Sequence, residues 1–104
     1  MSIDWTKIVG FEWDTGNARK SEQKHGVRTD EAEEVFLNQP LLVLEDPAHS
    51  SVREPRWRAL GRTGAGRLLQ IVFTVRDDRL RVISGRPMSR KERSIYEETI
   101  QAEE

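Results

Sequence analysis

The sequence predicts an α+β domain in which a small antiparallel sheet, arranged as a meander, is packed with two N-terminal helices and one C-terminal helix. Three observations lead there. Polar segments with helix caps fill residues 14–38, apolar runs of period two or of short buried type fill residues 41–84, and a Ser-x-x-Glu capping box opens the last segment. At 104 residues the chain fits one domain, 1–104, with a single core.

Each element follows from its residues. In the stretch 8–13, Val9, Phe11 and Trp13 alternate, which reads as a short first strand. Asp14-Thr15-Gly16-Asn17 supplies turn and cap residues before a polar, basic helix over 18–25, which Gly26 stops because glycine reaches the left-handed conformation cheaply. In a second helix, Thr29 or Asp30 can cap the first turn, Asp30 and Glu33 have capping-box spacing, and Ala32, Val35 and Phe36 share a face. Residues 41–44 form a strand, 46–55 a turn-rich loop carrying His49, and 56–62 a strand that places Trp57, Ala59 and Gly61 on one face. Thr63-Gly64-Ala65-Gly66 closes a hairpin onto 68–75, whose nearly continuous apolar run marks a central strand. Asp77-Asp78 turns into the last strand, 79–84, with Arg79 and Arg81 on one side and Leu80 and Val82 on the other. After Pro87, Ser89 and Glu92 cap a helix running to about residue 98, whose Ile95 and Ile100 dock on the sheet.

Composition removes several classes of function. Charged residues make up 34% of the chain and hydrophobic residues 36%, so the core is thin, but three Trp and three Phe argue against disorder. No run is long and apolar enough to span a membrane, and Met1-Ser2-Ile3-Asp4-Trp5 lacks a secretion signal, so a cytoplasmic protein with no membrane partner is expected. The absence of Cys removes disulfides, thiolate zinc sites and Cys nucleophiles, and two His make a His-rich metal site improbable.

The net charge of -1 is a cancellation. Residues 1–52 carry five bases against ten acids, residues 53–93 carry twelve bases against four acids, and residues 94–104 add four Glu. Thirteen of the seventeen bases are Arg, and eleven of these lie between Arg53 and Arg93. The planar fork of a guanidinium matches phosphate oxygens two at a time, so this bias points to an anionic ligand, with a solvated charged surface as the plainer reading.

The chemical inventory is short. Gly61-Arg62-Thr63-Gly64-Ala65-Gly66-Arg67 lacks the terminal Lys-Ser/Thr of a phosphate loop and is a hairpin; there is no His-Glu-x-x-His, calcium loop or Gly-x-Ser-x-Gly elbow. What remains suits cofactor-free RNA cleavage. The 2'-hydroxyl of RNA can itself attack the adjacent phosphorus, and the protein then supplies only a base, an acid and positive charge. His25, next to the helix-ending Gly26, is either the proton carrier or a structural helix end, and His49 is a weaker candidate of the same kind. Trp5, Trp13 and Trp57 could stack bases, but a domain this small needs Trp13 and Trp57 in its core.

An ordered set of short motifs then carries a family resemblance. Phe11-Glu12-Trp13-Asp14, Lys24-His25-Gly26-Val27, Glu33-Glu34-Val35-Phe36, Glu54-x-Arg56-Trp57 with Gly61-Arg62-Thr63, Val72-Phe73-Thr74, Arg81-Val82-Ile83-Ser84-x-Arg86 and Arg90-x-Glu92-Arg93-x-x-Tyr96-Glu97 resemble the BrnT toxin family over about nine tenths of the chain. The resemblance implies a RelE-like fold and a ribonuclease toxin of a type II toxin-antitoxin pair. Its partner would be a BrnA-type antitoxin with a ribbon-helix-helix domain, through which alone promoter DNA is bound, and a homodimer within the complex is a further arrangement it allows. The chain departs from the family pattern at Ser21, where Asn is usual, and in Ser84-Gly85-Arg86-Pro87-Met88, where many members have Ser-Ala-Arg-x-Ala. Both positions are expected near RNA.

The site expected on these grounds has Arg81 and Arg86 stabilising the phosphorane and His25 or Tyr96 exchanging a proton, all catalytic, with Lys24, Arg56 and Arg79 binding the RNA backbone and no cofactor or metal. The other classes are a non-catalytic RNA-binding module using the same basic face and a corepressor scaffold that binds antitoxin and tunes promoter occupancy.

Overall fold

The structure, a computed structural model, describes residues 3–103; Met1 and Ser2 of the N-terminal stretch read above lie outside the described residues. Its sheet has five strands, β1 (Gly10–Trp13), β2 (Leu42–Glu45), β3 (Trp57–Arg62), β4 (Leu68–Arg76) and β5 (Arg79–Pro87), in the spatial order β1-β5-β4-β3-β2. β2 to β5 form the expected antiparallel meander, with β4 central. β1 is the exception: it lies parallel to β5, pairing Gly10 with Arg79 and Trp13 with Val82, so the sheet is mixed. Strand alternation identifies a strand but not the edge it joins, so periodicity alone could not place β1.

Three helices cover the sheet: α1 (Thr15–His25), α2 (Thr29–Leu37) and α3 (Arg90–Glu103). α1 begins three residues earlier than expected because Asp14 is its N-cap and accepts from the Asn17 N–H at 3.1 Å, which makes Thr15, Gly16 and Asn17 the first turn. It ends at Gly26 with φ +64°, as the sequence required. The cap of α2 differs from the expected Asp30–Glu33 box. Glu31 accepts from the Arg28 N–H at 3.1 Å, while Asp30 pairs with the Arg28 guanidinium at 3.0 Å. The box opening α3 is as expected: Glu92 accepts from the Ser89 N–H at 2.8 Å and Ser89 Oγ accepts from the Glu92 N–H at 3.2 Å, but the helix runs five residues past the expected end. Among the described residues no helix is long and apolar enough to cross a membrane.

The two faces of the sheet are covered unequally. On one, α1 and α2 bring Val27, Ala32 and Val35 onto Ala59, Ile71, Phe73 and Val82. Trp57 belongs to this core and stacks on Phe73 with centroids 5.9 Å apart, and Trp13 packs against it, so neither is a base-stacking platform. On the other face α3 covers one end only, joining Tyr96 to Leu60 and Met88 with Ile95 and Ile100 at the margin. The rest of that face stays open.

Two contacts fix how the helices sit. Gly61 on β3 faces α2 so closely that a Cβ there would lie 2.7 Å from Val35 Cγ1 and 3.3 Å from the Val35 carbonyl oxygen. Arg67, at the foot of β4, donates to the carbonyls of Gly26 (2.7 Å) and His25 (3.2 Å) and pairs with Glu31 at 3.2 Å, tying the end of α1 and the start of α2 to the sheet. Gly61→Ala should therefore cost about 1–3 kcal/mol of stability through overpacking, read as a lower denaturant midpoint. An unchanged midpoint would show that α2 is free to recede.

Candidate active site

One irregularity in β5 builds the site. β4 pairs Val72 with Ser84 but Phe73 with Val82, so Ile83 is an extra, bulged residue. In a regular strand, positions 81 and 86 face opposite ways. The bulge restores Ser84 and Arg86 to the face of Arg81, away from the α1/α2 core, and so points Arg86 into the open side of the sheet.

That open side holds a cleft of about 380 Å³. Arg56 and Arg58 line it from β3 and the residue before it, Gln70 and Val72 from β4, and Ile83, Ser84 and Arg86 from β5. Asp46 and His49 close it from the loop after β2. Beyond Ile83 and Ser84, which belong to both, lies a second depression bounded by Lys20, Lys24 and His25 of α1. The structure thus brings Arg56 and Arg86 together in one cleft and sets Lys24 and His25 beside it.

Three expected members are elsewhere. Tyr96 is buried beneath α3, and its hydroxyl donates to the Pro40 carbonyl at 2.6 Å, so it packs the core and does not reach the cleft. Arg81 crosses from β5 to β1, where its guanidinium meets Glu12 at 2.7 Å and Asp14 at 3.7 Å; it staples the parallel strand pair and the cap of α1. Arg79 sits at the opposite end of β5, half-exposed beside Asp78 at 4.0 Å. The departures from the family pattern also have a structural role. Ser21 is buried and its hydroxyl accepts from the Gly85 N–H at 3.0 Å, so two of the unusual residues meet each other and hold α1 to β5.

Within the cleft the arginines are engaged to different degrees. Both terminal nitrogens of Arg86 grip Glu92 at 2.8 Å, and they donate further to Gln70 (2.8 Å) and the Pro87 carbonyl (3.1 Å). These contacts use all four terminal N–H groups, so Arg86 organises the floor of the cleft. Arg56 pairs with the partly exposed Glu54 at 3.1 Å. Arg58, missed by the sequence reading, is the least committed: it reaches Glu92 only at 3.7 Å, and its buried Nε has no hydrogen-bond partner. Its sequence signal was the alternation that made it a neighbour of Arg56 on the polar face of β3. His49, weighed and left outside the expected site, lines the same cleft with Nδ1 3.0 and 3.1 Å from the two carboxylate oxygens of the buried Asp46. Among the described residues no group of three or more His, Cys, Asp or Glu could hold a metal ion.

The comparisons with known proteins agree with this architecture. The chain matches over residues 13–92 the family described as "Ribonuclease toxin, BrnT, of type II toxin-antitoxin system". A solved structure, the ribonuclease toxin BrnT of Brucella abortus, superposes with a TM-score of 0.57 at 24% identity, covering 79% of this chain and 99% of that one. No curated protein sequence matches. The α+β fold and the family match define a small toxin of the ribonuclease class. The chain belongs to the BrnT family of type II toxin-antitoxin systems.

Burial opposes the ionised form of Glu92, but the Arg86 hydrogen bonds and the Ser89 N–H outweigh it and hold the carboxyl below its ordinary value of 4.5. A carboxyl depressed in the folded state contributes stability that is complete above the unfolded value and is lost as pH falls through the folded one. Glu92→Gln should thus lower stability by about 1–3 kcal/mol at neutral pH. The difference from wild type should shrink as pH falls below 4.5, measured by denaturant unfolding across pH. A gap that stays constant with pH would assign the loss to packing.

Proposed function

We propose that the chain is a metal-independent endoribonuclease that cleaves RNA by attack of the substrate's own 2'-hydroxyl, inhibiting translation and growth, and that a BrnA-type antitoxin with a ribbon-helix-helix domain neutralises it. The observation that carries this reading is the cleft: Arg56, Arg58 and Arg86 converge in a space of about 380 Å³, and the partly exposed Arg58 guanidinium is held, among the described residues, only by Glu92 at 3.7 Å. A loosely held guanidinium lining a cleft is a ready site for phosphate oxygens, and the contact strengthens as negative charge builds on those oxygens in the transition state.

In this arrangement Arg58 binds the scissile phosphate and Arg56 an adjoining one. Arg86 and Glu92 fix the floor against which the phosphate rests. Lys24 extends the contact along the backbone from α1, and His25, exposed at the end of that helix, takes the proton of the 2'-hydroxyl. The antitoxin covers this basic cleft, so inhibition competes with RNA.

Purified protein should cleave single-stranded RNA in the presence of EDTA. Arg58→Ala should reduce the rate about 10²- to 10³-fold, the loss typical of removing one donor to a developing oxyanion. Tyr96→Phe should keep the rate while losing about 1 kcal/mol of stability with its hydrogen bond. A strict need for divalent metal would contradict the mechanism. RNA binding without cleavage would favour the silent RNA-binding module, and antitoxin binding without either would favour the corepressor scaffold.

A further inference from the structure

We propose that His49, oriented by Asp46, is the general acid that protonates the departing 5'-oxygen, an inference that rests on the ribonuclease reading above. The pair is built by local geometry. Pro47–His49 form a single turn of 3-10 helix, and in that helix residues three apart eclipse one another, so Asp46 at the cap and His49 at the third position bring their side chains together. The turn is rigid. Asp46 N–H donates to the Arg56 carbonyl at 3.0 Å, and Ser50 Oγ accepts from the Arg56 N–H at 2.8 Å and donates to the Asp46 carbonyl at 2.7 Å. The loop is thereby locked to the start of β3, which carries Arg58.

The chemistry follows from which atoms are used. An ionised carboxylate can only accept, so the Asp46 contacts at 3.0 and 3.1 Å place a hydrogen on Nδ1 and leave Nε2 as the exchanging atom. The His49 side chain is 68% exposed and lines the cleft with Arg56, Arg58 and Arg86, so it can reach a bound phosphodiester. The choice of acid over base is electrostatic. An acid starts protonated, and a cationic ring among three guanidinium groups needs a counter-charge, which Asp46 provides. His25 has no such carboxylate among the described residues and is suited to the base, which starts neutral.

The step balances. His25 accepts the proton of the 2'-hydroxyl, the 2'-oxygen forms its bond to phosphorus, and the bond from phosphorus to the 5'-oxygen breaks. The leaving oxygen takes the proton from His49 Nε2. The products are a 2',3'-cyclic phosphate and a free 5'-hydroxyl, with a neutral His49 and a protonated His25. Asp46 is a positioning residue, since it acts only through the ring.

The test compares ordinary RNA with RNA carrying sulfur in place of the bridging 5'-oxygen, because a thiolate leaves without needing a proton. His49→Asn should lower cleavage of ordinary RNA about 10²- to 10⁴-fold and leave cleavage of the sulfur substrate within a few-fold of wild type. Asp46→Asn should show a smaller loss with the same rescue, whereas Arg58→Ala should lose activity on both substrates. Rapid turnover of the sulfur substrate by the His49 variant would itself show that the variant is folded. An equal loss on both substrates, or no loss on ordinary RNA, would overturn the assignment of His49 while leaving the ribonuclease reading intact. Failure of the wild type to cleave either RNA would overturn both.

Discussion

The carboxylate of Glu92 is the interaction on which the open face of this protein depends. It caps α3 through the Ser89 N–H, grips Arg86 with both oxygens, and faces Arg58 at 3.7 Å. One side chain therefore fixes where the C-terminal helix starts and how a cleft arginine is held, and it sets the charge beneath a second one. Neutralising two guanidinium groups with one carboxylate leaves Arg58 under-satisfied. Removing the last contacts from a buried ion pair is costly, so the floor stays fixed while the exposed part of the Arg58 guanidinium faces the cleft.

The charge asymmetry of the sequence is real, and part of it is absorbed within the fold. Arg67 holds the end of α1, Arg81 joins β1 to β5, and the four terminal N–H groups of Arg86 are taken by its neighbours. Within the cleft, the charge offered to a polyanion is a compact set around Arg56 and Arg58, with Lys24 and His25 across Ile83 and Ser84. Such a surface favours recognition of one or two phosphates over tight, sequence-independent coating of a long strand, because each neutralised phosphate adds its own increment of counterion release. The family's need for an antitoxin fits a site whose reach is local and whose blocking requires only one covered cleft.

Much of the fold was legible. Apolar alternation and short continuous apolar runs located all five strands, Gly26 and the Ser89–Glu92 box located helix ends, and the order of elements gave the meander. What escaped depended on non-local geometry. The parallel docking of β1 is decided by packing against β5, and the Ile83 bulge is one unpaired residue that no hydrophobic period announces. The bulge matters most, since it places Arg86 on the cleft face. Of the site, Arg56, Arg86, Lys24 and His25 were read from charge bias and the family motifs and lie in or beside the cleft, whereas Arg79, Arg81 and Tyr96 came from the same signals and have structural partners. A count of arginines cannot tell a ligand-binding guanidinium from one that staples two strands. His49 had a readable signal in its spacing from Asp46 across Pro47, but that signal acquires chemical meaning only once the 3-10 turn stacks the two side chains and the sheet sets Arg58 opposite.

The most direct test is the position of the substrate. A crystal structure of the protein with a short RNA methylated at its 2'-oxygens, and so unable to react, should show one phosphate against the Arg58 guanidinium and within hydrogen-bond reach of His49, with Glu92 still holding Arg86. An RNA bound along Arg79 and Arg81, with the cleft between β3 and the bulge empty, would contradict the account.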